Sequence, residues 1–413
     1  MKTSEWTKLP VSLRELCLAT TLRCGQSFRW KQYDDKWTCT LRGRIIQIVQ
    51  NKDHLQYRAI WPTVPKLNQI KLETDVQEDL VDDTGDLLRH YLNLGPNLTE
   101  LYQQWSDADT NFRKRAPQFT GIRILRQDAW EALVGFICSS NNNIIRISQM
   151  VEKICVNYGT YLTHFDGRDY YDFPAPEAFT DPTVEGRLRD LGFGYRAKYI
   201  SKTAQMIVSD RERGWLDRLR NPESPLYGHA PSCAGEMKPE GRDGYREAHE
   251  QLLSLQGVGP KVADCVCLMG LGWGEAVPVD THVWQIAQRD YKFGRGKHSS
   301  LTKATYDAVG NHFRSLWGQE AGWAHSVLFA ADLRVFADRA LNVVVQKKEK
   351  KSSDMKGGEA EVDASTLSMS ENLVDIATEP ASDDHKEDVM KRLLEVDHVA
   401  ATSNKRVKRT RRK

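Results

Sequence analysis

Alternating hydrophobic and polar positions predict β-strands in the first part of the chain. Hydrophobic residues occur there in short runs separated by polar turns, at 28–31, 36–43, 44–50 and 54–61. Runs of this length are typical of strands, and polar turns between them favour antiparallel pairing. The pattern therefore predicts an antiparallel sheet domain over residues 1–115.

After about residue 127 the hydrophobic residues are spaced three and four apart, which is the period of an amphipathic helix. The clearest segments are 128–142, 144–159, 195–210 and 246–256. This change predicts an all-helical bundle over 116–340, and hence an α+β fold for the chain. A stretch rich in Pro, Gly and Ser at 221–244 is expected to be a surface loop insertion of unknown role.

Residues 341–413 lose the hydrophobic period, pass through an acidic section and end in NKRVKRTRRK. Such a composition buries too little apolar surface to fold alone, so we expect a disordered basic tail. Two basic clusters in it resemble a two-part nuclear import signal, Lys391 and Arg392 followed by Lys405, Arg406, Lys408 and Arg409. We expect a nuclear protein, with the mitochondrion as a second location; the alternative is a solvated tail with weak DNA affinity.

Composition narrows the class of protein. With 413 residues and 40% hydrophobic content, the chain can form two or three packed domains. The eight cysteines include no CxxC pair, so neither a zinc site nor a disulfide framework is indicated. No apolar run is long enough to span a membrane, and no secretory signal begins the chain, so we expect a soluble intracellular protein without a membrane partner. A net charge of +2 alone does not predict a nucleic-acid partner.

The segment LLSLQGVGPKVADC indicates a helix-hairpin-helix. One helix ends, Gly257 and Gly259 allow a tight turn, and a second helix begins at Pro260 or Lys261. Backbone amides at such a turn can bind a DNA phosphate without reading sequence, although a plain turn between packed helices is the simpler interpretation.

Two side chains near the hairpin suggest catalysis. The positive end of a helix disfavours a charged ammonium at Lys261, and a free amine there could attack a sugar carbon; a solvated or phosphate-binding cation is the alternative. Asp280 precedes the next helix, where it is expected to cap the backbone. A carboxylate so placed could also stabilise the positive charge that forms when a glycosidic bond breaks.

Six motifs together resemble the 8-oxoguanine DNA glycosylase/lyases of the helix-hairpin-helix DNA glycosylase superfamily. They lie, in that family's order, at 24–30, 138–147, 191–199, 257–265, 276–291 and 321–333. The resemblance spans roughly residues 8–340 and leaves the insertion and the tail unexplained. It implies a base-excision repair enzyme that flips 8-oxoguanine, and also formamidopyrimidine guanine, out of DNA opposite cytosine. The expected partner is double-stranded DNA, bound by a monomer without a cofactor or catalytic metal.

The resemblance also implies roles for residues around the excised base. Lys261 would attack C1′, expel the base and remain as a Schiff base through which β-elimination cuts the strand, and Asp280 would assist base loss. Phe329 would stack on the flipped base with Cys265 on its other face. The backbone carbonyl of Gly25 would accept the N7–H that distinguishes 8-oxoguanine from guanine; its simpler interpretation is an ordinary turn.

Further roles concern the opposite strand and the DNA backbone. The resemblance implies that Asn141, Arg146 and Arg196 contact the unpaired cytosine while Tyr195 fills the vacated site. Without it, the arginines would be exposed helix charges and Asn141 a cap. Phosphate contacts are implied for the hairpin and the following helix, at Gly257, Gly259, Val262 and His282, with Asp332 orienting the histidine.

One position departs from the family. His325 stands where the family commonly has a glutamine that reads the Watson–Crick edge of the flipped base. A neutral imidazole cannot make the same paired contact as a carboxamide. We therefore expect 8-oxoguanine excision with an altered preference among oxidised purines.

Two other functions compete with this interpretation. Endonuclease III-like and adenine-specific glycosylases commonly carry an iron–sulfur cluster on cysteines after the aspartate, but no cysteine follows Cys267. Alkylation-specific relatives lack the lysine. The second alternative is a non-catalytic DNA-binding module, which would need neither Lys261 nor Asp280.

Overall fold

The computed structural model describes residues 1–62, 82–294 and 300–336. The predicted tail over 341–413 and its import signal lie outside the described residues. Within the described part, the α+β fold class is confirmed, with strands first and helices afterwards.

Six short strands form the N-terminal part, β1 (Lys2–Thr3), β2 (Thr7–Pro10), β3 (Lys31–Tyr33), β4 (Lys36–Leu41), β5 (Arg44–Gln50) and β6 (His54–Trp61). β5 lies between β4 and β6, and both pairings are antiparallel, with Cys39 opposite Ile46 and Ile46 opposite Ala59. β1 and β2 also pair with β6. Three of the four predicted strands are therefore confirmed.

The remaining predicted strand, at 28–31, is wrong over most of its length. Its residues Phe28–Trp30 precede β3 and are not in a strand. These residues are hydrophobic for another reason. Phe28 packs edge-on against Phe136, with ring centroids 5.7 Å apart, and the indole of Trp30 donates to the Tyr91 hydroxyl at 3.0 Å. A buried loop gives the same short apolar run as a strand, so periodicity alone could not separate a buried loop from a strand.

Helices make up most of the remaining described chain. They are α1 (Leu18–Thr21), α2 (Thr84–Tyr91), α3 (Leu98–Ala108), α4 (Thr110–Arg115), α5 (Ala129–Cys138), α6 (Ile144–Tyr158), α7 (Val184–Asp190), α8 (Arg196–Ser209), α9 (Trp215–Arg218), α10 (Asp243–Leu253), α11 (Pro260–Met269), α12 (Thr281–Tyr291), α13 (Lys303–Trp317) and α14 (Ala321–Asp332). Short 3₁₀ turns occur at Ala116–Gln118, Pro176–Phe179, Gly318–Glu320 and Arg334–Phe336. None of these helices is both long and apolar enough to cross a membrane.

The apolar side chains form two clusters. The sheet and α2 contribute one, which includes Leu9, Ile48 and Leu88. The helices from α3 onward contribute the other, centred on α5 and α11, where Leu133 and Val266 are fully buried. Buried apolar side chains dominate α5, so it passes through the interior. The predicted division at residue 115 stays a prediction.

Two features refine the helical half. A two-stranded antiparallel hairpin, β7 (Tyr161–Phe165) and β8 (Arg168–Tyr171), follows α6 and was not predicted.

The predicted insertion contains neither helix nor strand from 221 to 242, and α10 begins at Asp243. The end of the insertion is held by Arg242, whose side chain is almost fully buried and bonds both Glu275, at 2.9 Å, and Glu223, at 2.6 Å.

Candidate active site

The hairpin between α10 and α11 has the predicted geometry. Gly257 has a φ of +78°, and a Cβ there would lie 2.3 Å from the Tyr199 ring, so both backbone and packing require glycine. Gly259 is the extended residue before α11 and has open space around its missing side chain. Pro260 is the first helical residue, and no side chain caps this helix. The backbone amides of Lys261 and Val262 therefore point out of an uncapped helix start, which suits a phosphate.

Lys261 is half-buried at this helix start and reaches across to α5. Its Nζ donates to the Ser139 hydroxyl at 3.3 Å and lies 5.3 Å from the centre of the Phe136 ring. One turn later, burial raises the pKa of the Cys265 thiol to about 11, although the nearby ammonium acts in the opposite direction. The thiol is thus protonated and uncharged at neutral pH, which makes it a poor nucleophile.

Asp280 caps α12, as the sequence predicts. Its Oδ1 accepts from the backbone amides of both His282 and Val283, each at 2.9 Å. Because one oxygen receives both cap bonds, the carboxylate can cap the helix and still present Oδ2 to a reacting group.

A cavity of about 50 Å³ joins the residues predicted to surround the excised base. Six predicted residues line it, namely Gly25, Lys261, Cys265, Asp280, His325 and Phe329. They come from a loop after α1, from α11, from the start of α12 and from α14. The fold thus brings four distant chain segments to one small cavity.

Gly25 has a φ of +83°, and a Cβ there would lie 3.0 Å from Cδ1 of Ile144. The next residue, Gln26, was missed by sequence reasoning. Its buried carboxamide donates to the carbonyls of Thr21 and Arg123 and accepts from the Leu125 amide, at 2.8 to 3.0 Å. Gln26 therefore holds the Gly25 loop in place; its signal was its position inside the CGQSFRW motif.

α14 contributes His325 and, one turn later, Phe329. His325 is only 4% exposed, and neither ring nitrogen has a hydrogen-bond partner among the described residues. Burial lowers the pKa of its imidazole to about 4, and Asp280 opposes that shift only in part. The ring is therefore neutral at neutral pH. Phe329 is half-buried, with its ring centre 5.7 Å from that of His282.

Three of the four residues predicted for the opposite strand form one cluster. Arg196 is 4% exposed, contacts the Ser140 carbonyl, bonds the Asn141 carbonyl at 3.1 Å, and stacks 4.6 Å from the Tyr195 ring. Tyr195 is 45% exposed and donates to the Ser140 carbonyl. Burial of Arg196 contradicts its interpretation as a plain exposed charge.

Asn141 belongs to this cluster through its backbone carbonyl, which Arg196 bonds. Asn141 is exposed with a φ of +49°, and the helix cap is Asn143 instead. Arg146 is exposed on the first turn of α6. Tyr195 also packs on Tyr199, with ring centroids 5.5 Å apart, and Tyr199 is the side chain that lies over Gly257. The cluster and the hairpin are therefore in direct contact.

His282 lies against Asp332, with Nε2 3.2 Å from Oδ2. Arg289 holds the same carboxylate through Oδ1 at 2.9 Å, and Arg115 lies 3.5 Å from it. This network fixes the side of the imidazole that faces Asp332. Within the described parts of the chain, no three His, Cys, Asp or Glu side chains are grouped as metal ligands.

Comparison with known proteins gives consistent matches along the chain. Residues 8–133 match the N-terminal domain of 8-oxoguanine DNA glycosylase, and residues 134–311 match the HhH-GPD superfamily of base excision DNA repair proteins. The chain is 37% identical over 352 residues to the N-glycosylase/DNA lyase of Saccharomyces cerevisiae, covering 79% of this chain and 86% of that one. It is 34% identical over 336 residues to the N-glycosylase/DNA lyase OGG1 of Arabidopsis thaliana, covering 80% and 81%.

Solved structures match as well. MBOgg1 in complex with a low affinity DNA ligand is 25% identical, with a TM-score of 0.60 over 80% of this chain and 98% of that one. The Clostridium acetobutylicum 8-oxoguanine glycosylase/lyase, in complex with DNA containing cytosine opposite 8-oxoG, shares the fold at a TM-score of 0.61 and 22% identity, over 80% and 98%.

Proposed function

Because this chain belongs to the family of 8-oxoguanine DNA glycosylase/lyases, we propose that it excises 8-oxoguanine opposite cytosine through a Schiff base on Lys261. The family consists of N-glycosylase/DNA lyases of base-excision repair. The observation that carries the proposal is the shared cavity of Lys261 and Asp280. A non-catalytic DNA-binding module would have no use for an amine and a carboxylate facing one apolar-walled space.

The reaction follows from these two groups. After its ammonium gives up a proton, Lys261 attacks C1′ through Nζ as the glycosidic bond breaks, and the base leaves with the bonding electron pair and takes up a proton. Positive charge grows on the sugar as the base departs, and the Asp280 carboxylate stabilises it at short range. The C1′–O4′ bond then breaks, a proton passes from the nitrogen to O4′, and the C1′=N Schiff base forms. Loss of a C2′ proton to solvent then breaks the C3′–O bond by β-elimination, and the 3′-phosphate leaves with the bonding electron pair.

The flipped base must be held while this occurs. Phe329 supplies a flat apolar face, and the Gly25 carbonyl an acceptor for N7–H. Formamidopyrimidine guanine keeps an N–H donor in this region of the base, so we propose it as a second substrate. We assign Tyr195, Asn141, Arg146 and Arg196 to the gap and the opposite cytosine.

We also propose that the enzyme acts on double-stranded DNA as a monomer and that its basic tail directs it to the nucleus. Deleting residues 400–413 from a tagged protein should reduce nuclear accumulation, as measured by fluorescence microscopy. Unchanged accumulation would contradict the import signal.

Borohydride trapping tests the mechanism, because only an amine nucleophile gives a stable covalent adduct after reduction. The wild-type protein should form an adduct with a duplex containing 8-oxoguanine opposite cytosine, and Lys261→Gln should form none. Lys303→Gln is the matched control, since Lys303 is the exposed first residue of α13 and lies outside the cavity. An adduct that persists in Lys261→Gln would refute the assignment.

A further inference from the structure

His325 lines the small cavity with a polar side chain that is almost fully buried. It lies on α14 one turn before Phe329, and both side chains line the cavity with Lys261 and Asp280. Neither ring nitrogen has a hydrogen-bond partner among the described residues, although the side chain is 4% exposed. A buried polar group without a partner costs free energy, so a ligand that supplies the partner recovers that cost on binding.

The imidazole has a limited capacity for hydrogen bonds. Burial lowers its pKa to about 4, so one nitrogen donates and the other accepts at neutral pH. The accepting nitrogen carries a single lone pair, and the donating nitrogen lies on another side of the ring. A carboxamide oxygen differs, because its two lone pairs can accept from two neighbouring N–H groups at once.

The edge of 8-oxoguanine presents two neighbouring donors, the ring N1–H and the exocyclic 2-amino group. We propose that His325 reads the flipped purine through one hydrogen bond, to N1–H, and that the enzyme therefore excises 8-oxopurines with or without the 2-amino group. This inference rests on the proposed excision of 8-oxoguanine. It adds 8-oxohypoxanthine, which keeps N1–H and N7–H and pairs with cytosine, to the substrates.

The test compares single-turnover excision rates from two duplexes that differ only in the 2-amino group, 8-oxoguanine and 8-oxohypoxanthine, each opposite cytosine. The wild-type rates should agree within about threefold, because the group removed has no partner on His325. His325→Gln should prefer 8-oxoguanine by about tenfold or more, the effect of one lost hydrogen bond to a buried acceptor.

Ser326→Ala is the matched control. Ser326 also lines the cavity, but its hydroxyl donates to the Gly322 carbonyl at 2.7 Å, so this variant should keep the wild-type ratio. A wild-type preference of tenfold or more for 8-oxoguanine would overturn the inference. Because this measurement uses only the wild-type protein, it tests the inference even if His325→Gln does not fold. Equal ratios in the wild type and in folded His325→Gln would also overturn it. Failure to excise either base would contradict the proposed function itself.

Discussion

At the scale of single residues, Asp280 shows how one side chain can cap a helix and still line the cavity. The sequence predicted its cap position, because an aspartate before an amphipathic run is a common helix start. It could not predict that Oδ1 receives both cap bonds. That division depends on the side-chain rotamer of Asp280, which no sequence pattern specifies.

Replacing this carboxylate separates its two roles. Asparagine is as good a cap as aspartate but carries no charge, so Asp280→Asn should keep the wild-type Tm and lower the single-turnover excision rate about 100-fold. Asp280→Ala should lose the same activity and about 1 kcal/mol of unfolding free energy as well. Wild-type excision by folded Asp280→Asn would show that the charge is not used.

Gly25 provides a second prediction at this scale. Gly25→Ala should be destabilised by about 1 kcal/mol through its positive φ and should also lose excision, since its Cβ meets Ile144 beside the cavity. Gly43→Ala is the control, because Gly43 has a similar φ of +74° and no atom within 4 Å of a new Cβ. Unfolding and excision assays on both variants test this, and equal activities would contradict a role for Gly25 at the site.

At the scale of elements, a clear period predicted strands and helices alike, and the predicted segments 44–50 and 54–61 coincide with β5 and β6. α6 and α8 begin and end within two residues of the predicted segments, because a long amphipathic period is a strong signal. The β7 and β8 hairpin was missed because its strands are short and mostly half-buried or exposed, so they show no clear alternation. A signal was nevertheless present, since Asp166 and Gly167 both have positive φ in a turn that favours Asp-Gly.

The insertion before α10 carries a prediction about stability. Glu275 is fully buried and pairs with Arg242, so Arg242→Gln should leave an uncompensated buried carboxylate and cost about 3 kcal/mol or more of unfolding free energy. Arg246→Gln, which removes a neighbouring exposed pair with Asp243, should cost at most about 0.5 kcal/mol. Denaturant unfolding compares the two, and similar small losses would mean that the buried pair does not anchor the insertion.

At the scale of the whole molecule, the sequence supported the fold class and the residues of the site but not their distances. Gly25 and Phe329 lie at opposite ends of the described chain, and no local pattern indicates that they share a cavity. The family resemblance supplied that expectation for the cavity residues. It did not supply the unpartnered state of His325, because this depends on everything else packed around α14.

The contact of Tyr199 with both Gly257 and Tyr195 has a consequence for engineering. Through this one ring, the turn that precedes Lys261 packs against Tyr195, the residue we assign to the vacated site. We expect a change of ring size at position 199 to alter the packing of both Gly257 and Tyr195. Given the roles proposed for Tyr195 and Lys261, we expect substitutions at position 199 to change discrimination of the opposite base and the rate of excision together, so that selection for either trait would alter the other.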